Sequence, residues 1–412
     1  MTLTLTVHRG TQQIGGSCIE IVHPDGARLI LDAGRPLDAP DGATGLLPAS
    51  LDRSRASTVL ISHPHQDHWG LIEELPPDWP IWTGSGSAKL IAVTGDVTRR
   101  PLTRIFETWD SRSGPFVVGP FIITPILTDH SAFDAYMLLI EGAGKRILYT
   151  GDFRRHGRKS ALVDRIMAQP PADIDVLITE GTNLGTDKPV KTEDEIEHEF
   201  VELFERTKGR VFVSWSGQNI DRTVSIYRAA KHAHRTLAID LYTADVLDRI
   251  SEGTRLPRPG FQNLKVVVTR GLGSNYRSQG RENFVDRMVP HGISAKRLEG
   301  SRHVVMLRRG LIRDYKLAGV VPTADDAYNF SMWRGYLSDP YHTEALEWCR
   351  AAGAEIAYIH TSGHASPADL RAFAAAVQPK MVVPVHGVKW DEELHGFGPV
   401  RRLADAEALT LP

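Results

Sequence analysis

The chain has 412 residues, of which 42% are hydrophobic and 24% charged. That length implies two or three domains, or one domain carrying a large insertion, and the composition excludes a disordered or low-complexity protein. A formal net charge of −2 with a pI near 6.8 excludes a globally basic nucleic-acid coat, while leaving room for a basic groove on a balanced surface.

The N-terminus, "MTLTLTVHRG", alternates like a strand and has neither the charged start nor the apolar core of a signal peptide; no apolar run approaches transmembrane length. Cys18 and Cys349, the only cysteines, form neither a disulfide framework nor a cysteine zinc knuckle. A cytoplasmic protein with no membrane association is expected. From residue 1 to about 180, runs such as "CIEIVH", "ARLILDAG", "STVLISH", "PFIITPILTDH", "AYMLLIEG", "KRILYTGD" and "DVLITEG" are separated by Gly, Pro and Asp turns, which predicts a β-rich layered structure. Near Lys191 the texture changes. "KTEDEIEHEFVELFERTKG" offers a capping box, Thr192 with Glu195, then apolar residues at helical spacing and Gly209 as a stop. "RVFVSWSG", "NIDRTVSIYRAAKHA" and "TLAIDLYTADVLDRI" continue as strand, helix and strand–helix, predicting a separate α/β unit with a parallel sheet. Residues 253 to about 340, rich in Pro, Gly, Arg and Asn, show no assignable period. Helix "YHTEALEWCRAAG", strand "EIAYIHTSG", helix "SPADLRAFAAAVQ" and strand "KMVVPVHG" follow. Three basic clusters, around Arg99 to Arg104, Arg154 to Lys159 and Arg302 to Lys316, suit either a solvated face or a phosphate track.

"ISHPHQDHWG" concentrates His63, His65, Asp67 and His68 at the exit of an apolar run. In an extended segment positions i and i+2 face the same side, and Pro64 disfavours a helix at His63, so the first two imidazoles reach one point while Asp67 and His68 project toward a second. Imidazole with carboxylate is a ligand set for zinc and similar divalent ions. Asp32, His130, Asp152 and His386 also end apolar runs. Burying such groups without partners costs roughly 2–7 kcal/mol each, so their recurrence predicts a common edge that binds a metal pair. Two sites are expected: His63, His65 and His130 form one, Asp67, His68 and His386 the other, with Asp152 bridging them and Asp32 orienting a ligand imidazole. The expected cofactor is two divalent ions, Zn2+ first, with Mn2+ or Mg2+ as alternatives. In "HTSGHASP", Ser366 suits an N-cap, Pro367 the first helical position and Asp369 the first turn, which puts His360, Ser362 and His364 before a helix N-terminus that favours phosphate.

The landmarks "LDAG", "SHPHQDH", "TDHS", "YTGDFR", "LITEGTN", "HTSGHAS" and "PVHG", in that order across residues 32 to 387, resemble the metallo-β-lactamase superfamily and, more narrowly, its β-CASP nucleases of the RNase J type. The resemblance implies an α/β fold: an αββα metallo-β-lactamase sandwich with an inserted β-CASP α/β domain. Residues 1–188 would form its first part, 189–345 the β-CASP domain, and 346–412 the completion of the core. Glu180, His364 and His386 match the family's three β-CASP motif positions; RNA-acting members share His at the third, where the DNA-repair branch has Val. "SWSGQNIDR" resembles a β-CASP segment, implying that Asn219 and Arg222 contact the RNA backbone, with a surface-helix role as the alternative. The implied function is a zinc-dependent ribonuclease on single-stranded RNA, a 5′-to-3′ exonuclease, an endonuclease or both. It would act through a metal-bridging hydroxide positioned by Asp152, with His364 protonating the leaving oxygen and Asp67 and Glu180 completing the catalytic set. A single-stranded DNA nuclease, a small-molecule hydrolase such as a lactonase or thioesterase, and a scaffold without metal are the rivals; a homodimer or larger complex is left open. Three departures from the RNase J pattern stand out. Gly181 replaces a common Ser, the sequence ends about 25 residues after "PVHG" so that no extra C-terminal domain is expected, and "RGLGSNYRSQGRENF" matches nothing in the family.

Overall fold

The computed structural model describes residues 2–98, 100, 102–187 and 190–411. The chain divides into two units: Met1–Ala92, Pro101–Pro189 and Gly363–Pro412 form the first, and Val93–Arg100 with Val190–Ser362 the second. The boundary expected at 188 and 189 lies outside the described residues, as does Arg99 of the first basic cluster. The other boundary falls at 362 rather than 345, because strand Glu355–Ala357, which follows helix Pro340–Ala351, pairs parallel with Ala327–Phe330 and so extends the second unit's sheet.

Two sheets build the first unit. Among the described residues one has seven strands, in the order Ala408–Leu411, Leu3–Arg9, Cys18–Val22, Arg28–Leu31, Thr58–Ile61, Ile81–Gly84 and Phe106–Trp109. The other has six: Val382–Pro384, Val176–Thr179, Lys145–Tyr149, Tyr136–Gly142, Phe121–Leu127 and Phe116–Val118. Strand alternation sorts their side chains into layers. Leu29, Leu31 and Leu60 meet Leu138, Ile140 and Ile147 in the core between the sheets. Ile30, Val59 and Ile61 point the other way, against Trp69, Ile72 and Ile91. On the outer face of the second sheet Leu139, Leu148 and Leu177 are covered by Val163 and Ile166 of helix Ser160–Ala168 and by Leu370 and Phe373 of helix Pro367–Val377. The result is the αββα sandwich, each fully buried aliphatic side chain contributing about 1.5–3 kcal/mol. Helices Ser85–Thr98 and Ser160–Ala168, absent from the β-rich expectation, follow from topology: each connects two parallel neighbours, which a hairpin cannot join. The last segment returns to both sheets, Val382–Pro384 beside Val176–Thr179 and Ala408–Leu411 beside Leu3–Arg9.

In the second unit a seven-stranded sheet of the described residues is parallel throughout, ordered Gly292–Ile293, Leu264–Val267, Leu237–Asp240, Val304–Met306, Val211–Ser214, Ala327–Phe330 and Glu355–Ala357. The capping box forms as expected: Thr192 Oγ1 accepts from Glu195 N at 3.2 Å, and Glu195 accepts from Thr192 N at 2.7 Å. Residues 253 to 340 turn out to be regular. Their strands are two to four residues long and mostly buried, too short to display a period. The unmatched "RGLGSNYRSQGRENF" is structural. Arg281 donates to both carboxylate oxygens of Asp245 at 2.7 Å and stacks on Tyr276 and Phe284, while the Tyr276 hydroxyl donates to Asp245 at 3.0 Å.

Candidate metal centre

Asp32, His63, His65, Asp67, His68, His130, Asp152, Glu180 and His386 come after the last residues of strands in the first unit, and both sheets deliver theirs to one place, while His364 stands just before helix Pro367–Val377. His63, His65 and His130 present nitrogens within 4.8 Å of one another, as do the donor atoms of Asp67, His68, Asp152 and His386, and those of Asp152, Glu180, His364 and His386. Asp152 is the shared corner. Its Oδ2 lies 3.7 Å from His63 Nε2 and 3.2 Å from His68 Nε2, and its Oδ1 lies 3.7 Å from His386 Nδ1. His65 Nδ1 and His130 Nε2 are 3.1 Å apart, and His386 Nε2 is 3.2 Å from Asp67.

Hydrogen bonds behind the cluster fix which nitrogen faces inward. Asp32, fully buried, accepts from Ser62 N at 2.7 Å, Ser62 Oγ at 2.8 Å, Tyr149 OH at 2.6 Å and His68 Nδ1 at 2.7 Å. With Nδ1 donating, His68 presents Nε2 to the site. Ser62 Oγ gives its proton to Asp32, so it accepts from His63 Nδ1 at 3.0 Å and leaves His63 Nε2 inward. His130 Nδ1 donates to the Gly363 carbonyl at 2.5 Å, and Thr182 Oγ1 receives His386 Nδ1 at 3.0 Å. Carboxylate or carbonyl support behind a ligating imidazole is the arrangement that sets tautomer and basicity in metal sites. Asp32 and His386 hold φ of 60° and 48°, left-handed backbone that is uncommon outside glycine and recurs where function requires it.

The buried atoms His63 Nε2, His68 Nε2 and both oxygens of Asp152 make no hydrogen bond of proper geometry. Orphaned polar atoms at this depth cost about 1–3 kcal/mol each, and a cluster of them, all aimed inward, fits divalent cations. Electrostatics agree. Burial, reinforced by neighbouring imidazoles, pushes His63 and His130 well below the usual histidine range, and burial pushes His65 down to about 4. These three are neutral, the form that ligates. Burial acts the same way on His68, but Asp152, Asp32 and Asp67 outweigh it and raise that imidazole well above its ordinary value. Burial likewise opposes the charge on Asp152, yet His386, His68 and His364 hold it well below the usual carboxylate range.

Beside Asp152 stands a second device. Glu180, buried at the end of Val176–Thr179, accepts from Phe153 N at 3.1 Å, Thr182 N at 3.3 Å and His364 Nδ1 at 3.0 Å. Although burial disfavours charge on His364, the carboxylates of Glu180 and Asp152 raise it to about 9. Asn183 Nδ2 pins this loop by donating to the carbonyls of His364 and Ala365 at 2.9 and 3.0 Å. Ser366 caps helix Pro367–Val377 by accepting from Asp369 N at 3.0 Å, as its sequence suggests. The unusual Gly181 has a local cause: the Trp390 indole, whose Nε1 donates to Val385 O at 2.9 Å, lies where a Cβ would stand.

Not every expected residue joins this cluster. His360 and Ser362 belong to the second unit, His364 to the first. The expected RNA contact by Arg222 is corrected: the side chain is fully buried, ion-paired with Glu193 at 3.0 Å and bound to Ser331. Asn219 uses its side-chain oxygen to cap helix Ile220–His232, accepting from Arg222 N at 3.0 Å. Arg154, counted in a basic cluster, is fully buried 3.6 Å from Asp129. Sequence reasoning passed over Ser62, Tyr149 and Thr182. All three lie inside quoted motifs, Ser62 in "SHPHQDH", Tyr149 in "YTGDFR" and Thr182 in "LITEGTN", but the partners of Tyr149 and Thr182 are 117 and 204 residues away and carry no local signal.

Comparison with known proteins adds independent findings. Residues 13–194 match the family model described as metallo-beta-lactamase superfamily, and residues 353–390 match the Zn-dependent metallo-hydrolase RNA specificity domain. Ribonuclease J of Helicobacter pylori (strain ATCC 700392 / 26695) is 25% identical over 408 residues, covering 94% of this chain and 56% of the relative. Ribonuclease J of Sinorhizobium meliloti is 22% identical over 415 residues, covering 93% and 69%. The chain thus spans little more than half the length of the Helicobacter relative. A solved structure of a protein of unknown function from Enterococcus faecalis V583 shares the fold, with a TM-score of 0.80 and 19% identity over the whole of both chains.

Proposed function

Since the chain belongs to the metallo-β-lactamase superfamily, in its RNase J-like β-CASP branch, we propose that it is a zinc-dependent ribonuclease hydrolysing phosphodiester bonds of single-stranded RNA. The observation that carries the reading is the pair of ligand groups sharing Asp152, its inward atoms otherwise unsatisfied. His63, His65 and His130 would hold one ion and Asp67, His68 and His386 the other. A bound pair of divalent cations brings the pKa of water down toward about 7 and neutralises charge on phosphoryl oxygens.

The chain's own residues supply the rest. Asp152 reaches both ligand groups and keeps them in register. Asp32 locks the tautomers of His68 and, through Ser62, of His63. His364, with Nδ1 committed to Glu180, has Nε2 as its remaining proton-carrying position, suited to protonating the departing oxygen. The name of the model matching residues 353–390 and the Helicobacter and Sinorhizobium relatives favour RNA, as does His at position 386. His360 and Ser362 are the candidates to hold a substrate phosphate, which inclines the reading to 5′-to-3′ exonuclease action with endonuclease capacity. A cytoplasmic location agrees with two buried free cysteines and with the absence, among the described residues, of any helix long and apolar enough to cross a membrane.

The test is digestion of one RNA labelled at either end, carrying a 5′-monophosphate or 5′-triphosphate, beside single-stranded DNA of the same sequence, with metal content measured. RNA cleavage that follows zinc content is expected. Preferential cleavage of DNA, or undiminished turnover in a zinc-free sample, overturns the reading; mononucleotide release indifferent to the 5′ group removes the phosphate role of His360 and Ser362.

A further inference from the structure

We propose that the second unit carries a base-stacking platform, formed by Trp333, Arg334 and Tyr358, on which unpaired bases of the RNA lie; the proposal deepens the ribonuclease reading and rests on it. Trp333 is 62% exposed, an indole left in water while the rings of Tyr276, Tyr315 and Tyr328 in the same unit are buried. It is nevertheless held in place. The indole lies across Gly335, where any Cβ would run into the ring, and meets the Tyr336 ring edge to face at 5.5 Å. Its chain neighbour Arg334 is exposed and sets its guanidinium 4.0 Å over the Tyr358 ring, with no carboxylate ion pair among the described residues. Tyr358 is fixed by donating its hydroxyl to Met332 O at 3.0 Å, and its ring stands 5.8 Å from that of His360, one of the two residues proposed to take a phosphate.

The occupant is argued from charge and ring chemistry together. A cation stacked on a ring and left without an anionic partner is complementary to a phosphate, and an exposed, braced indole beside it offers a π-face that any base can cover. The nearby pair of Arg309 over Tyr341 lacks this feature, because Glu344 neutralises Arg309 at 2.9 Å. Stacking contributes roughly tenfold or more in affinity per base and tolerates any sequence.

Zinc-loaded protein is titrated by fluorescence anisotropy with a labelled phosphorothioate oligoadenylate, which resists hydrolysis, and with a base-free phosphorothioate chain of equal length. Wild type should prefer the oligoadenylate. Trp333→Ala should weaken that ligand about tenfold and leave the base-free chain unchanged, with Trp333→Phe restoring most of the loss. Gly335→Ala, which keeps the indole but displaces it, should also weaken oligoadenylate binding, and Arg334→Ala should lower the salt dependence for both ligands. Equal affinity of wild type and Trp333→Ala for oligoadenylate overturns the platform while leaving the ribonuclease reading intact. Failure of wild type to bind or cut any RNA removes both. Should Trp333→Ala instead change the sedimentation coefficient with RNA affinity preserved, the patch is a contact between copies and the proposal falls.

Discussion

Replacing Asp32 by Asn tests the inner logic of the proposed metal centre with one atom changed. The backbone at position 32 sits at φ 60°, a conformation Asn tolerates as well as Asp, so the substitution adds little strain. Four donors converge on the carboxylate: Ser62 N on Oδ1, and Ser62 Oγ, Tyr149 OH and His68 Nδ1 on Oδ2. An amide offers one acceptor oxygen. If that oxygen takes the Oδ2 position, the NH2 group faces Ser62 N–H, donor against donor. If it takes the Oδ1 position, the NH2 group faces His68, which then keeps its proton on Nε2 and cannot ligate through it. The first arrangement leaves a buried N–H unpaired at about 1–3 kcal/mol, and the second withdraws a ligand. Both predict zinc affinity lower by about 10–100-fold, or about 1.4–2.7 kcal/mol. Competition against a chromogenic chelator, with circular dichroism to confirm folding, measures it. A folded Asp32→Asn protein with the parent's zinc affinity refutes the tautomer argument.

Three further outcomes are expected. His364→Gln should retain its zinc content by elemental analysis while kcat on RNA falls about 10²–10⁴-fold, the range for loss of a proton donor; unchanged kcat removes His364 from that role. Arg222→Leu should destabilise the protein in urea by about 3–5 kcal/mol, because it strands the buried Glu193 carboxylate, and adding Glu193→Leu should recover most of that; weakened RNA binding with normal stability would instead support the original contact role. Glu20 is held below the usual carboxylate range by His8 and Arg28, although burial pushes the other way. A depressed folded pKa stabilises the protein above the unfolded value of about 4.3, and that contribution disappears as pH falls through the folded value. Glu20→Gln should therefore lower stability at pH 7 and flatten its decline in acid, measured by thermal unfolding across pH 7 to 3.

How much of this was legible beforehand follows the range of each interaction. Local patterns sufficed for the capping box at Thr192, the cap at Ser366 and the strands from Leu3–Arg9 to Thr58–Ile61 and from Phe121–Leu127 to Val176–Thr179, since each is set by neighbours a few residues apart, whereas Ile81–Gly84, Phe106–Trp109 and Phe116–Val118 went unread. The helix Ser85–Thr98 was hidden because its need arises from parallel pairing of the strands it joins. Arg222 misled because an arginine in a strand-to-helix segment reads the same whether it faces solvent or a buried Glu193 twenty-nine residues earlier. The boundary at 345 came from the resemblance and cuts through helix Pro340–Ala351; whether the strand after that helix joins one sheet or another is a matter of pairing, invisible in composition.

The candidate ligand set was legible in the sequence, because side-chain type and strand-end placement are local properties: His63, His65, Asp67, His68, His130, Asp152 and His386 were singled out before any fold was known, and the structure brings their donor atoms together. Which donors meet, which nitrogen each imidazole turns inward and which arginine lies in the interior depended on the fold. His386 and Asp67, 319 residues apart, approach to 3.2 Å because returning strands complete both sheets. Such contacts depend on sheet pairing across the whole chain, and no local signal encodes a partner at that separation.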